Sequence, residues 1–201
     1  LQSGNFKNAK TSGEAGYELT KNATIKNSIN YHTFTTDESG KFAPYALMEM
    51  KFSKQDIYFL LDDKFKIDEL EKALEVISKN GYGKRASIGK GAFEYRAFEK
   101  VSVKKNSNAF MTLSPVVIDD ENLKEFYYEP FTRFGKHGGG LASTNPFKSP
   151  LLMADSGSVV IYDEICEKEY IGKAISGHST NANTVHQGYS ILIATEIKNA
   201  Q

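Results

Sequence analysis

The chain has 201 residues, of which 40% are hydrophobic and 25% charged, and its 25 basic and 25 acidic residues give a formal net charge of zero. This length suffices for one large or two small domains with a hydrophobic core. No apolar run approaches the length of a bilayer span, which argues against a helical membrane protein. The single cysteine, Cys166, excludes an internal disulfide and a thiolate metal cluster. We therefore expect a globular cytoplasmic protein without a bound metal or cofactor.

The first 44 residues are rich in Asn, Ser, Thr, Lys and Gly and contain few apolar residues. Such a composition predicts an extended insertion or hairpin rather than a packed core, with its most ordered part at residues 25–36. The pattern changes at Tyr45, where YALMEMKF (45–52) and IYFLL (57–61) flank a polar turn. These two segments predict adjacent strands of a β-hairpin.

Residues 67–80 have the spacing of an amphipathic helix. Asp68 and Glu71 resemble a capping box at its start, and Gly81 is suited to a left-handed cap at its end. The apolar face consists of Ile67, Leu70, Leu74 and Ile77.

The rest of the chain predicts mainly strands. AFEYRAFEKVSV (92–103) and AFMTLSPVVI (109–118) each predict a strand, and Pro115 indicates an edge or bulge in the second. A short helix is predicted within residues 120–132 and a loop over 135–149, followed by three or four further strands. This order favours an α+β fold, with an antiparallel sheet and helices on one face.

The segment GYGKRASIGKG (81–91) contains four glycines and three cations and no acid. It follows a predicted helix, whereas phosphate loops of nucleotide-binding folds follow a strand, so an ATP or NAD site is not expected. Glycines allow a close approach of the backbone to phosphate, and Lys84, Arg85, Lys90 and the Ser87 hydroxyl can reach phosphate oxygens. The alternative is a helix cap with solvated lysines.

Charge is segregated along the chain. Acids gather in residues 119–129 and 163–169. Such segregation permits a positive surface on a neutral protein, although ordinary solvated charge explains the pattern equally well. Three stretches lack acids, between Glu18 and Asp37, between Glu75 and Glu94, and between Glu129 and Asp155.

Several motifs resemble, in the same order, those of the RAMP superfamily, and specifically the family of the fourth Csm-series subunit of type III-A CRISPR effector complexes. The glycine-rich segment NGYGKRASIGKGAFEY is similar to the glycine-rich loop of that superfamily. The other matching segments are KNSINYHTFTTDESGKFAPYALMEMKF, FTRFGKHGGG, SPLLMADSGSVV and HQGYSILI.

The resemblance implies a ferredoxin-like (RRM-like) fold that begins, in this chain, inside an insertion of the first domain. Residues 1–44 would be a thumb-like insertion, 45–105 the remainder of that domain, and 106–201 a second, degenerate domain. It further implies a non-catalytic subunit that holds the 5′ tag of the guide RNA in antiviral defence. The expected protein partners are the large polymerase-like subunit and the backbone RAMP subunits.

Three groups of residues are expected to contact RNA. Family members often carry arginine where this chain has Tyr31 or His32, so ring stacking on a base is the more natural role there. The glycine loop would contribute Gly83, Lys84, Arg85, Ser87, Gly89, Lys90 and Gly91. The insertion would contribute Lys26, Asn27, Asn30, His32 and Thr35. The last acid-free stretch would contribute Arg133 and Lys136.

Two other functions remain open. Metal-independent RNA-processing endonucleases of the same superfamily use a histidine as general acid or base, and His32 is the candidate for that role. A protein-interaction module is the other, because aromatic residues lie beside acids in residues 119–129. His137 is expected to be a loop residue near RNA or solvent. His178 and His186 lie in or beside a polar loop without the spacing of a metal motif, so we expect them to be structural.

Overall fold

The computed structural model describes residues 10, 13–37, 39–83, 85–137, 140–141 and 145–195. The chain divides into two compact units, one of residues 7–59 and one that includes residues 60–201. The described residues form mainly antiparallel sheet with one short α-helix, which is compatible with the α+β class. No helix among them has both the length and the apolar content needed to cross a bilayer.

The first unit contains one antiparallel hairpin. β1 (Leu19–Lys26) pairs with β2 (Tyr45–Phe52) over their whole length. The predicted pairing of 45–52 with 57–61 is therefore wrong, and residues 57–61 form no strand. An apolar run without alternation does not by itself identify a strand, whereas the β-branched residues of β1 favour one despite its polar composition. The assignment of 45–105 and 106–201 to two ferredoxin-like domains stays a prediction.

The predicted helix is confirmed as α1 (Ile67–Asn80). The Glu69 carboxylate accepts a hydrogen bond from the Lys66 amide at 3.0 Å, so the capping box starts two residues earlier than predicted. Gly81 ends the helix with a positive φ of 88° and donates its amide to the Ile77 carbonyl at 2.8 Å. Its ψ of 148° is extended, so the predicted left-handed cap is only half right.

The second unit is built on a five-stranded antiparallel sheet in the order β4-β7-β3-β9-β8. Its buried side chains include Phe110 on the central strand, Val160 on β7 and Leu192 on β9. The strands are β3 (Asn106–Thr112), β4 (Leu123–Tyr127), β7 (Val159–Glu167), β8 (Tyr170–Gly172) and β9 (Tyr189–Thr195).

A separate two-stranded sheet pairs β5 (Pro130–Arg133) with β6 (Leu151–Ala154). The helix predicted within 120–132 is therefore wrong, because that segment contains β4 and β5. A register shift between Leu123 and Glu125 lets Leu123 and Phe126 both pack against the core. This bulge produces an apolar spacing of three residues, which imitates the period of a helix.

Residues 112–117 connect the elements of the second unit. Val116 and Ala154 exchange two backbone hydrogen bonds, both 2.9 Å long, which attach β6 to the segment that follows β3. The Val117 amide donates to the Gly188 carbonyl at 3.0 Å. The predicted strand 109–118 thus ends at Thr112, and its continuation past Pro115 forms a bridge rather than a ladder.

The strand predicted at 92–103 is absent, since these residues have no ladder partner. Phe93 donates its amide to the Ser78 carbonyl at 3.3 Å, and the Tyr95 hydroxyl lies 3.5 Å from the Glu71 carbonyl oxygen. The segment therefore lies against α1 instead of pairing with a strand. Alternation without an available neighbouring strand does not produce a sheet.

Gly172 offers a test of the packing around Val116. A Cβ at Gly172 would lie 2.2 Å from the Gly188 carbonyl oxygen and 2.7 Å from a Val116 methyl, whereas a Cβ at Gly157 would meet nothing within 4 Å. Both residues have positive φ, 102° and 85°. We expect Gly157→Ala to lower the free energy of unfolding by about 1–3 kcal/mol from backbone strain alone. Gly172→Ala should lower it further in urea denaturation, and equal losses would contradict this packing.

Candidate nucleic-acid interface

The glycine loop (residues 81–91) closes on itself. The Tyr82 amide donates to the Gly91 carbonyl at 2.8 Å, and a short 3-10 helix, Ala86–Ile88, lies within the closed segment. A Cβ on Gly91 would lie 2.0 Å from the Tyr82 carbonyl oxygen. Glycine is therefore required at this crossing for close approach of the chain to itself rather than to a ligand.

Most of the described amides in this loop already have partners. Ile88 and Lys90 donate to the Arg85 carbonyl at 3.1 and 3.2 Å, Gly89 to the Ala86 carbonyl at 2.9 Å, and Ala86 to the Gly83 carbonyl at 3.4 Å. These amides and that of Tyr82 are turned inward and are not available to a phosphate. Any grip on RNA by this loop must come mainly from its cationic side chains.

The predicted contact residues of the glycine loop are placed as follows. Lys90 and Gly89 are exposed, and Arg85 is half-buried. Lys84 and the side chain of Ser87 lie outside the described residues. The RNA contacts expected of this loop stay a prediction.

The insertion presents a tight turn in the first unit. The Phe34 amide donates to the Asn30 carbonyl at 2.7 Å, the Asn30 amide donates to the Thr35 carbonyl at 3.0 Å, and the Asn30 side-chain oxygen accepts from the His32 amide at 3.0 Å. Asn30 and Thr35 thus hold the shape of the turn. The rings of Tyr31 and Phe34 are 84% and 80% exposed, and Phe34 was not singled out from the sequence.

Two further predicted contact residues lie where the chain leaves β1. Lys26 is the last residue of β1 and stands opposite Tyr45, and Asn27 follows it; both are exposed. His32 is exposed within the turn. These exposed positions are accessible to a ligand, and their role in RNA binding stays a prediction.

The second unit carries a basic hairpin, which we define as residues 130–154. It contains β5, β6 and the segment between them, and it lacks any acid. The pairing continues beyond the strands, because the Lys148 amide donates to the Gly135 carbonyl at 3.0 Å and the His137 amide to the Pro146 carbonyl at 2.7 Å. The predicted contact residues Arg133 and Lys136 are both exposed on this hairpin.

Exposed aromatic rings accompany the cations of the basic hairpin. Phe134 is 77% and Phe147 69% exposed, and the Lys136 ammonium lies 5.4 Å from the centroid of the Phe147 ring. Large apolar rings beside cations are the combination that binds single-stranded nucleic acid, because phosphates are neutralised while bases stack. Both phenylalanines were overlooked in the sequence, although their spacing around GKHGGG is visible there.

His137 of this hairpin lies near two histidines from a segment further along the chain, His178 and His186, and we call these three residues the histidine cluster. The rings of His178 and His186 are nearly perpendicular, with centroids 6.0 Å apart. His137 Nε2 lies 2.8 Å from the Ser179 hydroxyl. Backbone pairing fixes the cluster, because the Ser149 amide donates to the His178 carbonyl at 2.9 Å.

Gly135 brings the basic hairpin and the histidine cluster into contact. A Cβ at Gly135 would lie 3.0 Å from His186 Cε1 and 3.0 Å from Lys148 Cδ, so a side chain there would push them apart. Burial lowers the pKa of His186, and the positive charges of Lys148, His178, Arg133 and His137 lower it further. The fold thus assembles these histidines in a cationic environment, which their positions in the sequence did not indicate.

A second polar group, formed by Asp120, Tyr162 and Lys168, lies beside the five-stranded sheet, and its charges are paired with each other. Lys168 donates to the Asp120 carboxylate, and the Tyr162 hydroxyl donates to the same carboxylate at 3.0 Å. Burial would raise the pKa of Asp120, but these bonds and one from the Asn122 amide outweigh it and lower that pKa. The adjoining cleft of about 570 Å³ is lined by both signs of charge, with Lys105 paired to Glu169.

The charges of this second group are paired with each other, and the cleft beside it is lined by four acids and two lysines, so it does not favour an anion. Among the described residues, no group of three or more His, Cys, Asp or Glu side chains is arranged to hold a metal ion. The basic hairpin with its histidine cluster is the strongest candidate site.

Comparison with known proteins adds no family. A scan against models of protein families finds no match, and a search of curated proteins finds none. The resemblance to the RAMP superfamily therefore stays a prediction based on the motifs of this chain.

The electrostatic coupling of Lys148 to His186 can be measured. Because burial and then Lys148 lower the pKa of His186, we expect Lys148→Gln to raise it toward the ordinary histidine value. NMR titration of the imidazole C–H resonances provides the measurement. Lys124→Gln, which removes a lysine paired with Asp163 at 3.0 Å, is the control and should leave the pKa of His186 unchanged. The same pKa in wild type and Lys148→Gln would contradict the arrangement.

Proposed function

We propose that the chain binds single-stranded RNA through its basic hairpin. The observation that carries this proposal is an acid-free hairpin on which Arg133 and Lys136 are exposed beside the rings of Phe134 and Phe147. Cations attract the phosphate backbone, and exposed rings stack on unpaired bases. A duplex hides the faces of its bases, so the rings favour a single strand.

The zero net charge is compatible with this function because carboxylates elsewhere are paired with other lysines. Lys124 is paired with Asp163, Lys173 with Asp119, and Lys168 with Asp120. The basic hairpin itself contains no acid, so no carboxylate of residues 130–154 cancels its positive potential. Local charge, rather than total charge, steers a polyanion to a surface.

The resemblance to the RAMP superfamily supports a more specific proposal. The chain would be a cytoplasmic, non-catalytic subunit of a type III-A CRISPR ribonucleoprotein that holds the 5′ tag of the guide RNA in antiviral defence. It would dock the large polymerase-like subunit and neighbour the backbone RAMP subunits, on a ferredoxin-like fold of which the antiparallel sheet would be part. No metal or cofactor is required for this role.

The acidic segment 119–129 supports the protein-docking part of the proposal. The Phe126 and Tyr128 rings stack with centroids 4.4 Å apart, and Phe126 packs against the core. Tyr127 and Tyr128 are 59% and 51% exposed. Exposed tyrosines beside a half-buried ring are typical of protein interfaces, where aromatic residues are enriched.

RNA binding is tested by fluorescence anisotropy with a labelled single strand over a range of salt concentrations. We expect Arg133→Glu and Lys136→Glu each to weaken binding about tenfold or more and to reduce the salt slope by about one phosphate contact. Phe134→Ala should weaken binding by about 1–3 kcal/mol, the contribution of one stacked base, with little change in the salt slope. The control is Lys72→Glu, which makes the same charge change on an exposed position of α1.

If Arg133→Glu and Lys136→Glu both bind RNA with the affinity of the wild type, the basic hairpin is not the interface. Arg85→Glu, measured in the same assay, reports separately on the glycine loop. RNA recovered after incubation in EDTA should be intact, and cleavage that is lost in His32→Ala would favour the endonuclease instead. If the chain binds only a protein partner, and these variants do not change the stability of that complex, the interaction module is favoured instead.

A further inference from the structure

We infer that the histidine cluster, together with Lys148 and Arg133, binds one phosphate group. His186 is only 6% exposed, and its Nε2 is buried without a hydrogen-bond partner within the described part of the chain. His178 Nδ1 is buried without a partner in the same way. Buried polar atoms are nearly always hydrogen-bonded, so two orphaned nitrogens on touching rings indicate a ligand that supplies their partner.

The charges around these nitrogens select an anion over a cation. Among the described residues, the charged or titratable groups that act on His186 are Lys148, His178, Arg133 and His137, and each of them is cationic or becomes so on protonation. A metal ion would be repelled by Lys148 and Arg133. A phosphate offers only acceptors when it is fully ionised or esterified, which matches a site of N–H donors.

The geometry fits a single oxyanion. The ring centroids of His178 and His186 lie 6.0 Å apart. Charge-assisted hydrogen bonds to phosphate oxygens are about 2.7–2.9 Å long, so a phosphate that entered between the two rings would lie within reach of both. Because both nitrogens are buried, the rings would have to move apart to admit it. Lys148 lies on the same side of Gly135 as His186, because a Cβ at Gly135 would touch both side chains.

Binding at this site is linked to protonation. In the free protein, burial and the surrounding cations lower the pKa of His186, which favours its neutral imidazole. A bound anion opposes those cations and raises that pKa, so the complex holds more protons than the free protein. The affinity for a phosphodiester, whose own charge does not change in this range, should therefore increase as the pH falls from about 8 to about 6.

The probe is inorganic phosphate, added to the full chain while the imidazole C–H resonances are followed by NMR at constant ionic strength in chloride. We expect saturable shifts at His178 and His186 and none at the exposed His32. His186→Gln keeps a polar side chain but cannot titrate, and it should weaken phosphate binding about tenfold or more. Lys148→Gln, which does not alter the rings, should weaken it similarly, and His32→Gln is the matched control.

Absence of a saturable shift in the wild type, equal shifts at His32, or full affinity in folded His186→Gln and Lys148→Gln would overturn the inference. Shifts produced by Zn²⁺ but not by phosphate would overturn it in favour of a metal site.

A second arm identifies the source of the phosphate and rests on the proposed RNA binding. Single-stranded RNA that shifts His178 and His186 would show that a nucleotide phosphate occupies the site, and comparison of 5′-phosphorylated with 5′-hydroxyl RNA distinguishes a terminal phosphate from a diester. If RNA binds without shifting the His178 and His186 resonances, while inorganic phosphate does shift them, the site is assigned to free phosphate. If RNA binds and phosphate does not, this inference fails and the proposed function stands. If phosphate binds and RNA does not, this inference stands and the proposed function fails.

Discussion

The backbone bridge between Val116 and Ala154 is the constraint on which the candidate site depends. Val116 is fully buried, and its two hydrogen bonds to Ala154 attach the basic hairpin to the segment that leaves the central strand β3. The next residue, Val117, holds the Gly188 carbonyl and thus the segment that carries His186. The hairpin cations and the buried histidines are brought together because one short segment pairs with both.

The second physical feature is the separation of charges within a neutral chain. Several carboxylates in and beside the sheet are paired with lysines, as in the Lys168, Tyr162 and Asp120 group. The basic hairpin has no such internal partner in its own segment, so its cations are available to an external anion. The glycine loop differs, because its described amides are largely bonded to its own carbonyls. Side-chain charge, more than backbone amides, is therefore the basis of the proposed RNA contact.

Local signals in the sequence predicted the elements that depend on local interactions. Helix α1 was recognised because its apolar spacing, its acidic first turn and Gly81 all lie within one segment. The strand at 92–103 was wrong because an alternating pattern does not by itself provide a partner strand, and the strand at 57–61 was wrong because an apolar run without alternation does not identify a strand. The bulge in β4 imitated a helical period and produced the error at 120–132.

The candidate site was only partly visible in the sequence for the same reason. The acid-free stretch between Glu129 and Asp155 marked Arg133 and Lys136 correctly as cations of one exposed segment. The histidine cluster could not be found, because its members meet through pairing between segments that are distant along the chain. Long-range register determines such sites, and no spacing in a single sequence encodes it.

The most direct measurement is the position at which RNA touches the chain. Single-stranded RNA containing 4-thiouridine, irradiated with the full chain and followed by mass spectrometry of the crosslinked peptides, locates that contact without any substitution. The account predicts crosslinks within residues 130–154, at or beside Phe134 and Phe147. Crosslinks confined to other segments, with residues 130–154 unmodified at saturating RNA, would contradict it.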